Sequence, residues 1–228
     1  VSIEAGTFRE TIRIDKDVTI VGEDAESTTI EGRGPGTVVM VSANVTAAIS
    51  KVTILGGAGS AGGSANDGGG LYNQGALTLT STVVCENSAP ENPSGKGKGG
   101  GIRNDGNLEM NLCLVEKNDA AGPGGGIYNR GTLTLNTTTV CRNTASGGGG
   151  IFNEGQLTVT ACTIADNEAS GDGGGILSED TGVLTNCTVS GNKADGSGGG
   201  LAVRVEAAPV TVTKLVHCTV TDNVASGR

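Results

Sequence analysis

Three side chains in this sequence, Arg130, Glu154 and Glu179, have types and spacing that could do chemistry. Each lies three residues after the Ile that follows a glycine triplet, in successive copies of one motif. If those copies stack as neighbouring rungs, Glu154 and Glu179 face the same way about 5 Å apart. Two carboxylates at that distance can raise one pKa and act as acid and nucleophile in a retaining glycosidase. They can equally chelate Ca²⁺, with Arg130 beside them as the base of a polysaccharide lyase. The whole column runs Gln74, Asp105, Arg130, Glu154, Glu179, Arg204. The plainer reading, which leads here, is a solvated ladder of mixed charge.

A second column lies one residue after the Ile/Leu: Tyr72, Arg103, Tyr128, Phe152, Leu177, Ala202. It is expected to point outward. Tyr72, Tyr128 and Phe152 are the candidate ligand-binding residues, because aromatics on neighbouring rungs can stack on sugar rings. The competing reading, again the plainer, is a stacked pair that shields the sheet edge. Thr-x-Thr pairs at Thr78/Thr80 and Thr158/Thr160 raise a remoter option, ice binding, but Glu109, Asn111 and Asn136 interrupt those columns. Thr is in any case favoured in strands.

These columns exist only if a repeat positions them. The cleanest copy is GGGIFNEGQLTVTACTIADN, Gly148 to Asn167, and the pattern recurs from Gly68, Gly99, Gly124, Gly173 and Gly198. Its first Asn positions are Asn73, Asn104, Asn129 and Asn153, with Ser178 in the fifth copy; its second are Asn87, Asn118, Asn143, Asn167 and Asn192, 14 residues later in all five copies. In the sixth copy Val203 and Asn223 are 20 apart, so an insertion is expected near residues 207–212. Length variation that falls at turn-like sites is what stacked coils with looped-out insertions show. Within a copy the apolar period is two: Leu157 and Val159, then Cys162 and Ile164. The parity slips at Ala161, which predicts a bend between two short strands. Three such strands in about 25 residues bury nothing alone and need a neighbour above and below. The expected fold is an all-β, right-handed parallel β-helix of about eight rungs, right-handed because parallel crossovers overwhelmingly are.

In such a solenoid the second-Asn column, Asn87, Asn118, Asn143, Asn167, Asn192 and Asn223, reads as a structural amide ladder that tolerates left-handed backbone. The triplets read as close-packed corners; a phosphate cradle would need a helix start or a Lys, and neither follows. The composition agrees. With 41 glycines, 2% aromatics and no Trp, a compact globule lacks material for a core, whereas a solenoid stacks Val, Ile, Leu, Cys and Ala in columns. A net charge of −9 and a pI near 4.6, with no basic stripe, argue against nucleic acid and anionic membrane surfaces. No apolar run approaches a membrane span. No signal-peptide pattern is seen, so the sequence is read as a mature form or an excised piece.

Of the six cysteines, Cys113, Cys162, Cys187 and Cys218 share one expected inward column as small hydrophobes. Cys162 and Cys187, on adjacent rungs, are close enough to bridge; Cys85 and Cys141, two rungs or about 9.6 Å apart, are not. Free thiols are the preferred reading. Zinc is disfavoured, since His217 is the lone His and no Cys-x-x-Cys occurs. No metal is assigned; Ca²⁺ at the carboxylates is the one candidate.

Residues 1–228 are read as one domain: irregular opening rungs over 1–57, a loop over 58–67, and six repeat rungs over 68–228. The stretch Val1 to Phe8 reads as one alternating strand entering a turn at Gly6. The opening EAGTF…TIRIDKDVTIVGED…TTIEG…VTILGG resembles the first coils of pectin-lyase-like β-helix proteins, and is most similar to bacterial surface proteins with CSLREA domains or right-handed parallel β-helix repeats. The GGG[IL]xN copies are also similar to the GGA[ILV] and FxxN repeats of chlamydial polymorphic outer-membrane proteins, with Gly in place of Ala and Val or Ile in place of Phe. The resemblance spans the chain. It implies an exported β-helix, extracellular or at the cell surface of a bacterium, but no single chemistry. No motif of a known lyase or pectinesterase site is present. The leading expectation is a non-enzymatic spacer or adhesin segment, with carbohydrate or a host or cell-surface protein as candidate partner. The alternative is a polysaccharide-processing lyase or glycosidase using Arg130, Glu154 and Glu179. Open solenoid ends also raise end-to-end self-association.

Overall fold

The computed structural model describes residues 1–59, 68–91, 95–204 and 213–227. Among them every regular element is a strand, and every strand pairing is parallel. The strands form four stacks. The first has nine members, from Ser2–Ile3 and Val18–Gly22 through Thr46–Ser50, Ala76–Thr80, Asn107–Asn111, Thr132–Asn136 and Gln156–Thr160 to Gly182–Thr185 and Thr213–Val216. We call it the long-strand stack. The second, also of nine, holds three-residue strands such as Val83–Cys85, Leu114–Glu116 and Thr139–Cys141. The third, of eight, holds the strands that follow the triplets, Leu71–Asn73, Ile102–Asn104, Ile127–Asn129, Ile151–Asn153 and Ile176–Ser178. A fourth, of six two-residue strands such as Asp119–Ala120, was not visible as a separate element in the alternation. Neighbours in each stack are one turn of the coil apart, so the architecture is a parallel β-helix, as the repeat predicts.

Register converts the repeat into continuous columns. Leu77, Leu108, Leu133 and Leu157 lie side by side, as do Leu79, Met110, Leu135 and Val159. Leu71, Ile102, Ile127, Ile151 and Ile176 form a third column. All are buried in one core that runs the length of the stack. Each fully buried Leu or Ile is worth about 1.5–3 kcal/mol, which is how a chain with so few aromatic rings makes a core.

The corners explain the rest of the motif. Where the parity slips, one residue per rung is left-handed: Lys51, Ser81, Leu112, Thr137, Ala161, Asn186 and His217, with φ between 47° and 56°. The next residue points inward and ties the turn. The Thr138 hydroxyl donates to Asn136 O at 3.0 Å, and Cys162 and Cys187 S–H donate to Thr160 O and Thr185 O, each at 3.2 Å. The Cys column is therefore more than apolar filling: Thr82, Cys113, Thr138, Cys162, Cys187 and Cys218 occupy it, each a small donor. All six cysteines are free thiols. A second left-handed residue immediately precedes the second Asn: Glu86, Lys117, Arg142, Asp166, Gly191 and Asp222. So the strained backbone sits one residue before the ladder, not on the Asn itself.

Two further expectations are corrected. Val1 to Phe8 is not one strand but two, Ser2–Ile3 and Gly6–Arg9, because Gly6 opens the second strand at φ 152° and turns the chain into a new stack. The expected loop over 58–67 and the insertion near 207–212 fall almost entirely outside the described residues. No helix among the described residues is long and apolar enough to cross a membrane.

Candidate functional site

The third stack carries both candidate columns. Its strands begin at the glycine triplets, and the geometry shows why the triplets are glycine. From the second triplet on, the first Gly is left-handed, with φ 75° at Gly124 and 58° at Gly148. A Cβ on Gly148 would lie 2.8 Å from Phe152 Cα, and one on Gly149 2.4 Å from Glu168 O. The chain entering each strand thus doubles back over the residue four places on.

That fold-back decides the fate of the aromatic column. Tyr72, Tyr128, Phe152 and Leu177 do point away from the main core and share register with Arg103 and Ala202. They are nevertheless buried, with Tyr128 1% and Phe152 6% exposed, and Tyr128, Phe152 and Leu177 form a small apolar cluster of their own. The rings of Tyr128 and Phe152 stack at 5.5 Å and 12°. Lys98 Nζ covers the other side of Tyr128, 4.6 Å from its centroid. Of the candidate ligand-binding residues Tyr72, Tyr128 and Phe152, all three are thus buried, and the Tyr128 ring lies against Phe152 and Lys98.

The acidic members of the charged column are each paired, in separate groups. Tyr72 OH donates to Asp105 Oδ2 at 2.9 Å, and Arg103 donates to both oxygens of the same carboxylate. Tyr128 OH donates to Glu154 Oε2 at 2.6 Å and accepts from Lys98 Nζ at 2.9 Å. Burial and the bond to Glu154 push the Tyr128 phenol well above the usual range. Burial opposes charge on Arg103, but its bonds to Asp105 more than compensate and hold its pKa above normal.

Of the three candidate catalytic residues, Arg130 and Glu154 come together, Arg130 Nε lying 3.6 Å from Glu154 Oε2. Glu179, in register one position after Ser178, turns instead to Arg204 on the next rung, at 3.3 Å. Arg204 also holds Asp172 at 2.8 Å. The backbone N–H of Ser197 and the Arg204 guanidinium lower the Asp172 pKa. Glu154 and Glu179 thus occupy neighbouring rungs but engage different cations on opposite sides. Among the described residues no three His, Cys, Asp or Glu side chains gather as metal ligands.

The second-Asn column is an amide ladder. Asn118 Nδ2 and its backbone N both donate to Asn143 Oδ1, at 3.0 and 2.9 Å, and the pattern repeats from Asn87 to Asn223. A further ladder was tracked in the sequence only as a spacing mark. Asn73, Asn104 and Asn129 each donate Nδ2 to the next Asn Oδ1 at 2.8 Å, and Asn153 donates to Ser178 Oγ at 3.1 Å. Its signal was present: a buried column that is Asn four times and then Ser keeps a polar partner at every step.

A coil of parallel strands with stacked Asn at two corners is the architecture of a right-handed parallel β-helix. The chain belongs to the family described as right handed beta helix region, whose profile matches residues 70–228. The crystal structure of the pectin methylesterase from Aspergillus niger in deglycosylated form is similar, with a TM-score of 0.57 at 11% identity, covering 96% of this chain and 76% of that one. At that identity the likeness is one of fold. No curated protein matches the chain with significance.

Proposed function

We propose that this chain is a non-enzymatic β-solenoid, a spacer or adhesin segment of a protein that works outside a bacterial cell or on its surface. The observation that supports this reading is the occupation of the charged column. Asp105 is held by Tyr72 and Arg103, Glu154 by Tyr128 and Arg130, and Glu179 by Arg204. A general acid or base needs a poised group with room for a proton in transit. Here each carboxylate ties one rung to another. The reading invokes no Ca²⁺ and no nucleic acid.

The alternative keeps one observation in its favour: Arg130 is half exposed beside Glu154, on a fold shared with a pectin methylesterase. Incubation with pectin, with and without Ca²⁺, discriminates the two by methanol release and by new reducing ends. We expect neither. Turnover that Glu154→Gln or Arg130→Ala abolishes would replace the spacer reading with a polysaccharide-processing one.

A further inference from the structure

The outer face of the long-strand stack lies away from both candidate columns and has no role so far. Its strands read TAAIS, ALTLT, NLEMN, TLTLN and QLTVT on five successive rungs. First, third and fifth positions point outward, so the face is tiled with Thr, Asn, Ala, Ser and Gln, interrupted by Glu109. Three shallow depressions of about 410, 250 and 290 Å³ lie on it. They share Thr46, and pairs of them share Thr78, Ala76 and Asn107, so they join into one trough from Asp17 to Thr134. Ala48 and Ala76 are the smallest outward residues along it, and Gly75 and Gly106 also line it. It crosses five rungs, about 19 Å at about 4.8 Å per rung.

We infer that this trough binds a linear, uncharged polysaccharide running along the solenoid axis; the inference rests on the adhesin reading above and supplies its ligand. Three properties of the lining select that class. The first is charge: among the described residues Asp17 and Glu109 are the only ionisable lining groups and no cation lines the trough, so a nucleic acid or polyuronate would meet repulsion without a counter-charge. The second is hydrogen bonding. Thr hydroxyls and Asn amides each donate and accept, matching sugar hydroxyls, while the backbone groups a peptide would pair with are already used between rungs. The third is period. A Thr or Asn side chain recurs on every rung of the trough, as Thr19, Thr46, Thr78, Asn107 and Thr132, at a spacing close to the length of one sugar ring along an extended chain, so successive residues of a homopolymer meet similar partners. No single contact is strong; affinity accumulates by repetition.

Calorimetric titration of the full chain with cellohexaose, xylohexaose and mannohexaose, and with hexagalacturonate as the anionic control, tests this. At least one neutral probe is expected to bind with a Kd below about 1 mM, and hexagalacturonate about tenfold or more weaker. Ala76→Trp fills the trough and should lower affinity at least about tenfold; the double variant Asn107→Ala/Thr134→Ala, which alters only outward side chains, should weaken it without moving the melting curve. Failure of all three neutral probes, a preference for hexagalacturonate, or binding untouched by either variant overturns the assignment. New reducing ends from a bound probe would instead sink the non-enzymatic reading and leave the trough standing.

Discussion

Asn143 Oδ1 accepts two hydrogen bonds from Asn118, one from the backbone N at 2.9 Å and one from Nδ2 at 3.0 Å, and both residues are buried. Asn143 Nδ2 in turn donates to Val115 O, Cys141 O and Asn167 Oδ1. Asn143→Ala would strand donors on Asn118 and acceptors on two carbonyls at once. Since each buried orphan costs about 1–3 kcal/mol, we expect a loss of about 3 kcal/mol or more in urea denaturation. Asn136→Ala, which removes one bond to Asn111 on the outer face, should cost under about 1 kcal/mol. Equal losses would mean that burial of the ladder contributes nothing.

Thr137 is β-branched and left-handed, with φ 47°. That conformation costs a non-glycine residue about 1–2 kcal/mol. Thr137→Gly is therefore expected to stabilise the fold by up to about 1 kcal/mol after the extra chain entropy of glycine is subtracted. The reverse exchange at the bend before the ladder, Gly191→Ala, should destabilise it, because φ there is 66°, a conformation that strains a residue with a Cβ. A lower denaturation midpoint for Thr137→Gly would refute the strain argument.

Tyr128 separates a structural ring from a ligand platform. Tyr128→Phe keeps the stack on Phe152 but removes the bonds to Glu154 and Lys98, at an expected cost of about 1–2 kcal/mol. Tyr128→Ala removes the ring and should cost about 3–5 kcal/mol. Neither should change glycan affinity in protein that remains folded, because the ring faces are covered. Selective loss of glycan binding in Tyr128→Phe, with stability unchanged, would restore the aromatic column as a ligand site.

Cys85 gives a pH-dependent readout. Burial, reinforced by Glu86 and Glu116, pushes its thiol up to about 11. The thiolate is the reactive form, so at pH 8 only about one molecule in a thousand is reactive at this site. Iodoacetamide labelling followed by mass spectrometry should be about a hundredfold slower in the folded chain than in urea, rising about tenfold per pH unit until pH approaches 11. Rapid labelling of Cys85 at neutral pH would contradict the burial assigned to it.

Much of this was legible before any coordinates. Constant spacing between the two Asn columns fixed the rung, and the parity slip at Ala161 located a corner that is left-handed in the fold. Side-chain alternation tells which side of a strand a residue takes, and it placed Tyr128 and Phe152 correctly on the far side from the core. It says nothing of what lies over that side. The cover comes from the path of the triplet turn, which depends on backbone approach at Gly148 and Gly149 rather than on any apolar pattern. For the same reason Glu154 and Glu179 could be assigned to neighbouring rungs, while their choice of Arg130 or Arg204 rests on side-chain direction. Two-residue strands such as Asp119–Ala120 are too short for any period to register.

The amide-to-amide bonds of both ladders run the same way: within each Asn pair, Nδ2 on one rung donates to Oδ1 on the following rung. The stack therefore has a sense, like a threaded rod. A rung placed before Asn87 must offer a donor, the part Gly57 N–H plays at 2.9 Å, and a rung placed after Asn223 must offer an acceptor. Duplicating or deleting whole repeats between those two points preserves every join, so this architecture can change length by unequal exchange of identical units without redesign at any corner, whereas a unit inserted backwards would meet donor with donor.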